Sequence, residues 1–510
     1  MNEQSIIGSL QSRGLQAWQA KFVESFLGEG SGAFHLLTAP PGTGKVQACI
    51  AIATELAVQK AMRILVLTPA SLCEEWRMRL SDAQSQVPVF FVTRQAYREL
   101  EASVQVGQSP WNAGRIFVIS QDLAKKSDFI ASLSEITWGL VIFDEAHRLA
   151  TPQRAALLSQ LIGVGCVLKL LLVTATPLLA LEKWIHPLPD QPTSFPAPLA
   201  VTSWLGELRN WDGTIVERPR VDLKVVSYTR GKDEVHFFLK FLSLMPEPEN
   251  ATGVNRFLIG ILMHRAASSL YAIDQSLQRL RHRLKITAEE AESLFGKEIM
   301  GLTGVDVDLE GVEQKTEQMP FEQTDEQISL TLVEQCLEEL DRVSSDEKLN
   351  IVKSLIRSII DGQTGEVPRI CIFSMYNDTV SYLHTAIGDI GIPSFKITGG
   401  VAFAERQALV GRFLRLGGVL VGTDGGLSEG IELAEVTSVI HYDLPSNPMV
   451  FEQRRGRFER YGREAPCKVY VLRDESGVLP LESRLIELVT SQQTSGIDSG
   501  EAVENLSNDS

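Results

Sequence analysis

Short apolar runs alternate with helix-like charged stretches in two long parts of this chain. In the first part, from about Leu15 to Pro177, the runs are "RILVLTP", "RIFVIS", "LVIFDEAH" and "LLLVTATP", and each ends in a polar signature. Nearly continuous apolar runs are typical of strands buried on both faces of a parallel sheet. The alternation of strands and helices predicts a doubly wound α/β fold, which binds ligands at the carboxyl ends of its strands.

The same alternation returns from about Arg369 to Leu488 in "RICIFSMY", "GGVLVGTD", "TSVIHYDLP" and "CKVYVLRD". Between the two parts lie a proline-rich connector, "HPLPDQPTSFPAPLA", and a helical, charged stretch from about Lys232 to Leu349. The end of the chain lacks aromatic residues and is rich in polar and acidic ones, which predicts disorder. We therefore expect an N-terminal lobe at 1–220, a mainly helical segment at 221–345, a second lobe at 346–490 and a disordered acidic tail at 491–510.

Composition narrows the class of protein. The 510 residues are 44% hydrophobic and 22% charged, as in globular proteins with large cores. The six cysteines include no C-x-x-C pair, which disfavours a zinc ribbon or a disulfide framework and indicates core thiols in a reducing compartment. There is no signal-peptide pattern and no apolar run of membrane-spanning length, so we expect a cytoplasmic protein without a membrane partner.

The net charge is −16, which disfavours non-specific binding of polyanions over the whole surface. A basic groove on an acidic body remains compatible with this charge, so the position of the arginine clusters matters more than the total.

The stretch "LLTAPPGTGKVQACI" is close to the phosphate-binding pattern G-x-x-x-x-G-K-[ST]. Gly42 and Gly44 would let backbone N–H groups approach phosphates at a helix N-terminus, and Lys45 would neutralise the β- and γ-phosphates. Ala39 replaces the first glycine, and Val46 replaces the hydroxyl residue. By itself, the string is equally compatible with a plain glycine-rich turn between a strand and a helix.

A second motif, "LVIFDEAHRL", changes this balance. An apolar strand ends in the adjacent carboxylates of Asp144 and Glu145. One of them can hold Mg²⁺ and the other can orient or deprotonate an attacking water. Solvated acids at the end of a surface strand would not account for an apolar strand that delivers D-E-A-H downstream of a G-K loop.

The motifs "PPGTGK", "DEAH" and "TATP", in that order, resemble the first motor lobe of superfamily 2 helicases and translocases. "ICIFSMYNDTVSYL", "VLVGTDGGLSEGIEL" and "YDLPSNPMVFEQRRGRFERYGR" resemble motifs IV, V and VI of that superfamily. "VLTPASLCEEW", "ISQDL", "HRAASS" and "EQRRGRFERYGR" are most similar to the Swi/Snf-type group, especially bacterial RapA-like proteins. The resemblance implies an α/β fold of two RecA-like parallel-sheet lobes joined by a mainly helical segment, with ATP and Mg²⁺ as cofactors.

The resemblance also implies residue roles. Asp144 would hold the metal and Glu145 would act on the water, while Gln19 would read adenine. The implied nucleotide-binding residues are Gln19, Pro41, Gly42, Thr43, Gly44, Lys45, Val46 and Gln453. The implied catalytic residues are Lys45, Asp144, Glu145 and the arginine fingers Arg457 and Arg460. The residues implied to couple hydrolysis to lobe movement are His147, Thr174, Thr176, Glu429 and Gly430.

A nucleic-acid track across the strand ends is implied as well. Hydroxyl groups and backbone amides suit phosphate contact without reading of sequence. Its implied residues are Thr68, Ser71, Ser120, Gln121, Ser374, Tyr376, Gly399 and Thr423. Trp76, in "CEEWRMRL", is expected to be a core residue rather than a stacking platform.

Three functions remain compatible with the sequence, and Val46 bears on the first two. The loss of a charged hydrogen bond would cost roughly 1.5–3 kcal/mol, or about ten- to a hundredfold in rate. We therefore expect a nucleic-acid-dependent ATPase that hydrolyses ATP slowly or when stimulated and that moves along DNA rather than RNA. The alternatives are an ATP-gated binding subunit with little turnover, and a scaffold recruited by a protein partner through the acidic helical block from Glu289 to Glu298.

Overall fold

The computed structural model describes residues 14–28, 33–39, 42–105, 107–175, 200–203, 214, 221–245, 253–284, 330–362, 365, 367–427, 431, 433–445, 448–459 and 466–479. These residues belong to two compact units, one formed by residues 1–219 with 459–463 and the other by residues 220–458 with 464–510. The predicted acidic tail and the block from Glu289 to Glu298 lie outside the described residues.

The first unit is built on a seven-stranded sheet whose strands are all parallel. Its strands are β1 (Phe34–Thr38), β2 (Ile64–Thr68), β3 (Val89–Val92), β4 (Ile116–Ser120), β5 (Leu140–Phe143), β6 (Leu170–Thr174) and β7 (Ala200–Ser203). Their spatial order is β3-β4-β2-β5-β6-β1-β7. Because the strands are parallel, their carboxyl ends meet at one edge, which is where open α/β sheets bind ligands.

Helices cover both faces of this sheet. They are α1 (Ala17–Leu27), α2 (Lys45–Val58), α3 (Cys73–Ala83), α4 (Arg94–Ser103), α5 (Gln121–Ala124), α6 (Ser127–Leu133) and α7 (Pro152–Gly163). Successive residues of a strand enter different cores: Ile64 and Val66 pack into one apolar cluster, and Leu65 and Leu67 into another. Burial on both faces is the reason for the uninterrupted apolar runs.

The second unit has a six-stranded parallel sheet in the order β10-β11-β9-β12-β13-β8. Its strands are β8 (Val221–Tyr228), β9 (Arg369–Ser374), β10 (Ser394–Ile397), β11 (Gly418–Thr423), β12 (Ser438–His441) and β13 (Cys467–Asp474). Its helices are α8 (Lys232–Leu244), α9 (Gly253–Ser268), α10 (Leu270–Leu284), α11 (Leu330–Leu340), α12 (Glu347–Asp361), α13 (Asn377–Gly388), α14 (Phe403–Leu416), α15 (Asp424–Leu427) and α16 (Pro448–Phe458). The predicted α/β fold with two parallel-sheet lobes is thus confirmed.

One part of the predicted division into domains is corrected. Val221–Tyr228 falls in the segment predicted to be mainly helical, but it is an edge strand that pairs with β13 over its whole length. Its sequence, "VDLKVVSY", alternates apolar with polar residues because one face of an edge strand meets water. It therefore lacks the continuous apolar run that marks the central strands. The remaining predicted boundaries stay predictions.

The helices α8 to α11 pack around an apolar cluster that includes Phe237, Phe241 and Leu277. A polar network joins α9 to the sheet of the second unit. Asp443 follows β12, and its Oδ2 accepts a hydrogen bond from Ser268 Oγ at 2.6 Å. Arg265 forms an ion pair with Asp378 at the start of α13. The "HRAASS" stretch is therefore the place where the helical segment attaches to the second sheet.

All six cysteines are buried free thiols, which confirms their predicted place in the core. Among the described helices, none combines the length and the apolar composition needed to cross a bilayer.

The second unit contains a buried ion pair centred on Arg230, and a prediction about stability follows from it. The buried Arg230 donates from Nε to Asp474 Oδ2, and its Nη1 lies 3.7 Å from Glu234 Oε1. Arg230→Met would leave two buried carboxylates without this charge, so we expect the free energy of unfolding of the second unit to fall by about 3–5 kcal/mol. Urea denaturation of the full chain measures this change. The control is Arg342→Met, which removes an exposed pair with Glu339 and should cost less than about 1 kcal/mol. Equal losses in the two variants would contradict the prediction.

Candidate functional site

Three of the predicted motifs meet at the carboxyl edge of the first sheet. Strand β6 lies between β1 and β5, and the pairs Thr38–Thr174 and Leu172–Phe143 align the three strand ends. The G-K loop follows β1, "TATP" begins at the end of β6, and "DEAH" follows β5. The N–H of Ala39, where the loop begins, donates to the carbonyl of Thr174 at 3.3 Å.

The loop after β1 needs glycine at two positions. Gly42 has φ +75° and Gly44 has φ +84°, a left-handed conformation that costs other residues about 1–2 kcal/mol. Gly44 caps α2, which begins at Lys45, so the helix N-terminus opens directly onto the loop. Lys45 Nζ donates to the carbonyl of Ala39 at 2.7 Å. Thr43 is buried within the loop.

Gln19, which is predicted to recognise adenine, forms hydrogen bonds to the backbone of this loop. Its buried side-chain amide donates to the carbonyls of Thr43 and Gly44 at 3.2 and 3.0 Å. Its Oε1 accepts from the N–H of Gln16 at 2.8 Å, which orients the amide. The structure therefore gives Gln19 a role in shaping the loop, and adenine recognition stays a prediction.

Asp144 is a buried carboxylate that several elements hold. Its Oδ2 accepts from Trp76 Nε1 at 2.8 Å and from Thr68 Oγ1 at 3.1 Å, and its Oδ1 accepts from the N–H of Glu145 at 2.9 Å. Burial raises its pKa, and the adjacent charge of Glu145 adds to the rise, while the hydrogen bonds from Trp76 and Thr68 oppose it. The predicted core position of Trp76 is confirmed.

Glu145 has an unusual backbone. Its φ of +47° and ψ of +54° are left-handed, which is uncommon for a residue with a side chain and typical of functional turns. His147 Nδ1 lies 3.2 Å from Glu145 Oε2. Burial alone would raise the pKa of Glu145, but His147, Lys45 and Arg148 together hold it below the ordinary value. Two neighbouring carboxylates thus have pKa values shifted in opposite directions, an arrangement that separates their chemical roles.

The residues fit a magnesium ion held with a nucleotide. Mg²⁺ in such sites takes one or two carboxylates together with phosphate oxygens and water. A carboxylate can accept about four hydrogen bonds, and three donors among the described residues reach Asp144, so it retains capacity for a ligand. The side chain of Val46 has no oxygen to offer; it is partly buried and packs against the apolar cluster beneath α2.

In the second unit, α16 carries Gln453 and Arg457, both partly buried. Nothing in the sequence singles out Arg454, which is fully buried on the same helix. Its Nη2 donates to Asp424 Oδ2 at 2.8 Å, and its Nη1 donates to the carbonyl of Asp443 at 2.7 Å. Arg454 therefore fixes α16, and with it Arg457 one turn later, to the strand ends of the second sheet.

The predicted nucleic-acid contacts divide into two groups. Ser71, Ser120 and Gly399 are partly exposed. The side chains of the other five are buried and have partners within the protein; they are Thr68, Gln121, Ser374, Tyr376 and Thr423. Polar groups at buried strand ends need such partners. A nucleic-acid role stays a prediction for all eight residues. In the buried group, however, each side chain already forms a hydrogen bond or a cation–π contact within the protein.

Five further predicted residues lie outside the described part of the chain. They are Pro41, Thr176, Glu429, Gly430 and Arg460.

Comparison with known proteins gives two family matches. Residues 19–187 match the SNF2-related domain, and residues 347–462 match the helicase conserved C-terminal domain. Over 80% of its length, the chain is 26% identical to YqhH of Bacillus subtilis, an uncharacterized ATP-dependent helicase. Over 24% of its length, it is 26% identical to the DNA repair and recombination protein RDH54 of Saccharomyces cerevisiae. The chain spans 66% of the length of YqhH and 13% of that of RDH54.

Two solved structures share the fold. The helicase domain of Hef from Pyrococcus furiosus matches with a TM-score of 0.52 at 16% identity, over 94% of this chain and 99% of that one. Dbp5 of S. cerevisiae, bound to RNA and ADP BeF3, matches with a TM-score of 0.52 at 12% identity, over 94% and 90%. Both likenesses support the two-lobe RecA-like fold.

The loop geometry predicts the effect of one added methyl group. A Cβ on Gly44 would lie 2.5 Å from Gln19 Nε2, at a φ that alanine rarely adopts. We expect Gly44→Ala to weaken nucleotide binding by about tenfold or more, measured by titration with a fluorescent ATP analogue. The control is Gly163→Ala at the end of α7, where a Cβ meets no described atom within 4 Å and the affinity should not change. An unchanged affinity in Gly44→Ala would show that the loop is not the nucleotide site.

Proposed function

We propose ATP-driven movement along double-stranded DNA as the activity of this chain, whose two domain matches and helicase relative support a Snf2-type helicase of superfamily 2. The same matches support a nucleic-acid-dependent ATPase. The stretches "VLTPASLCEEW", "ISQDL", "HRAASS" and "EQRRGRFERYGR" favour the RapA-like members of this group.

One observation carries the proposal more than any other. The G-K loop, Thr174 and the Asp144–Glu145 pair converge at one sheet edge, and Glu145 departs from the strand with a left-handed backbone. A strained conformation of this kind persists where the surroundings enforce it, and such positions cluster at active sites. Convergence of a phosphate loop and two carboxylates is what phosphoryl transfer to water requires.

In the proposed reaction, the amides of the loop and Lys45 bind the phosphates. Asp144 would hold Mg²⁺, which when bound neutralises charge that develops on the phosphates. Glu145, which the neighbouring positive groups keep ionised, orients the attacking water and accepts its proton. Arg457 and Arg460 are proposed to stabilise the transferred phosphate, because the planar guanidinium contacts phosphate oxygens at two points.

We propose DNA rather than RNA as the track because the Swi/Snf-type resemblance is to proteins that translocate on duplex DNA. RDH54, which matches a quarter of the chain, is described as a DNA repair and recombination protein. The partly exposed Ser71, Ser120 and Gly399 are the proposed phosphate contacts. A protein partner would bind through the helices of the second unit that precede α12.

The proposal predicts ATP hydrolysis that depends on nucleic acid. Phosphate release from ATP should rise on addition of duplex DNA, and rise less with single-stranded DNA or RNA. Glu145→Gln should lower kcat by about 10²- to 10⁴-fold, because it removes the general base, and should retain ATP binding. The matched control is Glu101→Gln, an exposed carboxylate on α4, which should not change kcat. Hydrolysis that no nucleic acid stimulates would contradict the proposal.

Val46 favours a second candidate, an ATP-gated nucleic-acid-binding subunit with little turnover. In a slow motor, Val46→Thr supplies the missing ligand and should raise a measurable wild-type kcat by about ten- to a hundredfold. In the binding subunit, wild-type turnover would equal that of Glu145→Gln, and turnover would appear only with threonine. The comparison is made at saturating ATP and duplex DNA, so that differences in affinity do not enter.

A further inference from the structure

Asp144 receives hydrogen bonds from both segments of the first unit that were predicted to contact nucleic acid. Thr68, at the end of β2, donates to its carboxylate at 3.1 Å. Gln121, at the start of α5, donates from Nε2 to its main-chain carbonyl at 2.6 Å. Trp76, on α3, donates to its carboxylate at 2.8 Å. All three side chains are buried and are held by partners within the protein.

The path from the surface to Trp76 is short and runs through one turn and the start of α3. Ala70 is exposed and Ser71 is partly exposed, in a 3₁₀ turn at Ala70–Leu72. The carbonyl of Pro69 accepts from the N–H of Leu72 at 3.0 Å and from Cys73 Sγ at 3.5 Å, so the turn is fixed to the first residue of α3. Trp76 follows within the first turn of that helix. A displacement of the turn would therefore act on the start of the helix that carries the indole.

The second path has the same form. Ser120 is partly exposed at the end of β4, and its Oγ accepts from the N–H of Leu123 at 3.1 Å, which caps α5. The next residue, Gln121, bonds the carbonyls of Asp144 and Leu67. Movement of Ser120 against a bound phosphate would reach the main chain of Asp144 through one side chain.

We propose that Thr68, Trp76 and Gln121 are positioning residues that relay nucleic-acid contact at Ser71 and Ser120 to Asp144. The relay makes hydrolysis respond to nucleic acid because the orientation of a buried carboxylate is set by the donors that satisfy it. This inference deepens the proposed function and rests on it for its consequence in catalysis. The contacts themselves lie within the first unit.

The relay is tested first by a spectroscopic signature that needs neither ATP nor Mg²⁺. The chain has seven tryptophans, so the ¹⁵N–¹H indole spectrum has few resonances, and Trp76→Phe assigns the one of interest. On addition of duplex DNA to the full chain, the Trp76 resonance should shift. The resonances of Trp111 and Trp138, buried indoles that donate to Ser132 and Leu133, should stay in place. DNA binding, followed by anisotropy in the same sample, without a Trp76 shift would overturn the relay.

The second test separates kcat from KM. Trp76→Phe and Thr68→Val each remove one donor to the Asp144 carboxylate, and each should lower DNA-stimulated kcat by about tenfold or more with the KM for ATP within about twofold. Thr68→Ser, which keeps the hydroxyl, should restore kcat. Trp138→Phe is the matched control, because it removes one buried indole donor that does not touch Asp144. Equal kcat in Trp76→Phe and Trp138→Phe would overturn the relay even if one variant were less stable.

The two proposals fail in different ways. Wild-type hydrolysis that no nucleic acid stimulates would refute the proposed function, and the indole titration would still decide whether the contacts respond to binding. Stimulation that persists in Trp76→Phe and Thr68→Val would refute the relay alone. Absence of binding to duplex DNA, single-stranded DNA and RNA would refute both.

Discussion

The hydrogen bonds to the Asp144 carboxylate are the constraint on which the first unit depends. A buried charge is tolerated only when donors satisfy it, and here the donors come from the end of β2, from α3 and from the residue that follows Asp144. Gln121 adds a bond to the main chain of the same residue. The need to satisfy one carboxylate therefore fixes the mutual positions of β2, β5, α3 and α5.

The second unit uses the same physical solution at a different strand. Asp443 follows β12, and its side chain accepts from Ser374 Oγ, from the N–H of Met375 and from Ser268 Oγ at 2.6–2.7 Å. Arg454 contacts its main-chain carbonyl and links it to Asp424. Asp443 thus contacts the end of β9, the helical segment and α16, which carries Arg454. In both units, an aspartate at a strand end organises the polar side of the sheet edge.

Glu145 and Val46 show two ways in which the site departs from average protein structure. Glu145 adopts a left-handed backbone, whose cost the surrounding fold must offset, and positive neighbours keep its carboxylate ionised. Val46 has the opposite effect. Its side chain packs against the cluster beneath α2, whereas a hydroxyl at this position would supply a metal ligand. In the proposed reaction the first departure would favour catalysis and the second would slow it, so turnover is the property that distinguishes a motor from a binding subunit.

The sequence by itself determined the two α/β patterns, the G-K loop and the carboxylate pair. These are local: apolar runs report strands buried on both faces, and glycines report positive φ, as at Gly44. It did not show that Val221–Tyr228 is a strand, because an alternating edge strand carries a weak local signal. Nor does the sequence show which side chains at the strand ends are buried. It therefore predicts nucleic-acid contacts for Thr68 and Gln121 and does not single out Arg454.

Only the tertiary structure decided these points, since the partners lie far apart in the chain. Trp76 and Asp144 are separated by 68 residues and meet because β2 lies beside β5 in a sheet whose spatial order differs from the chain order. Local patterns specify elements and their exposed or buried faces. Which polar groups satisfy one another depends on strand order, and that order is set by the packing of the whole sheet.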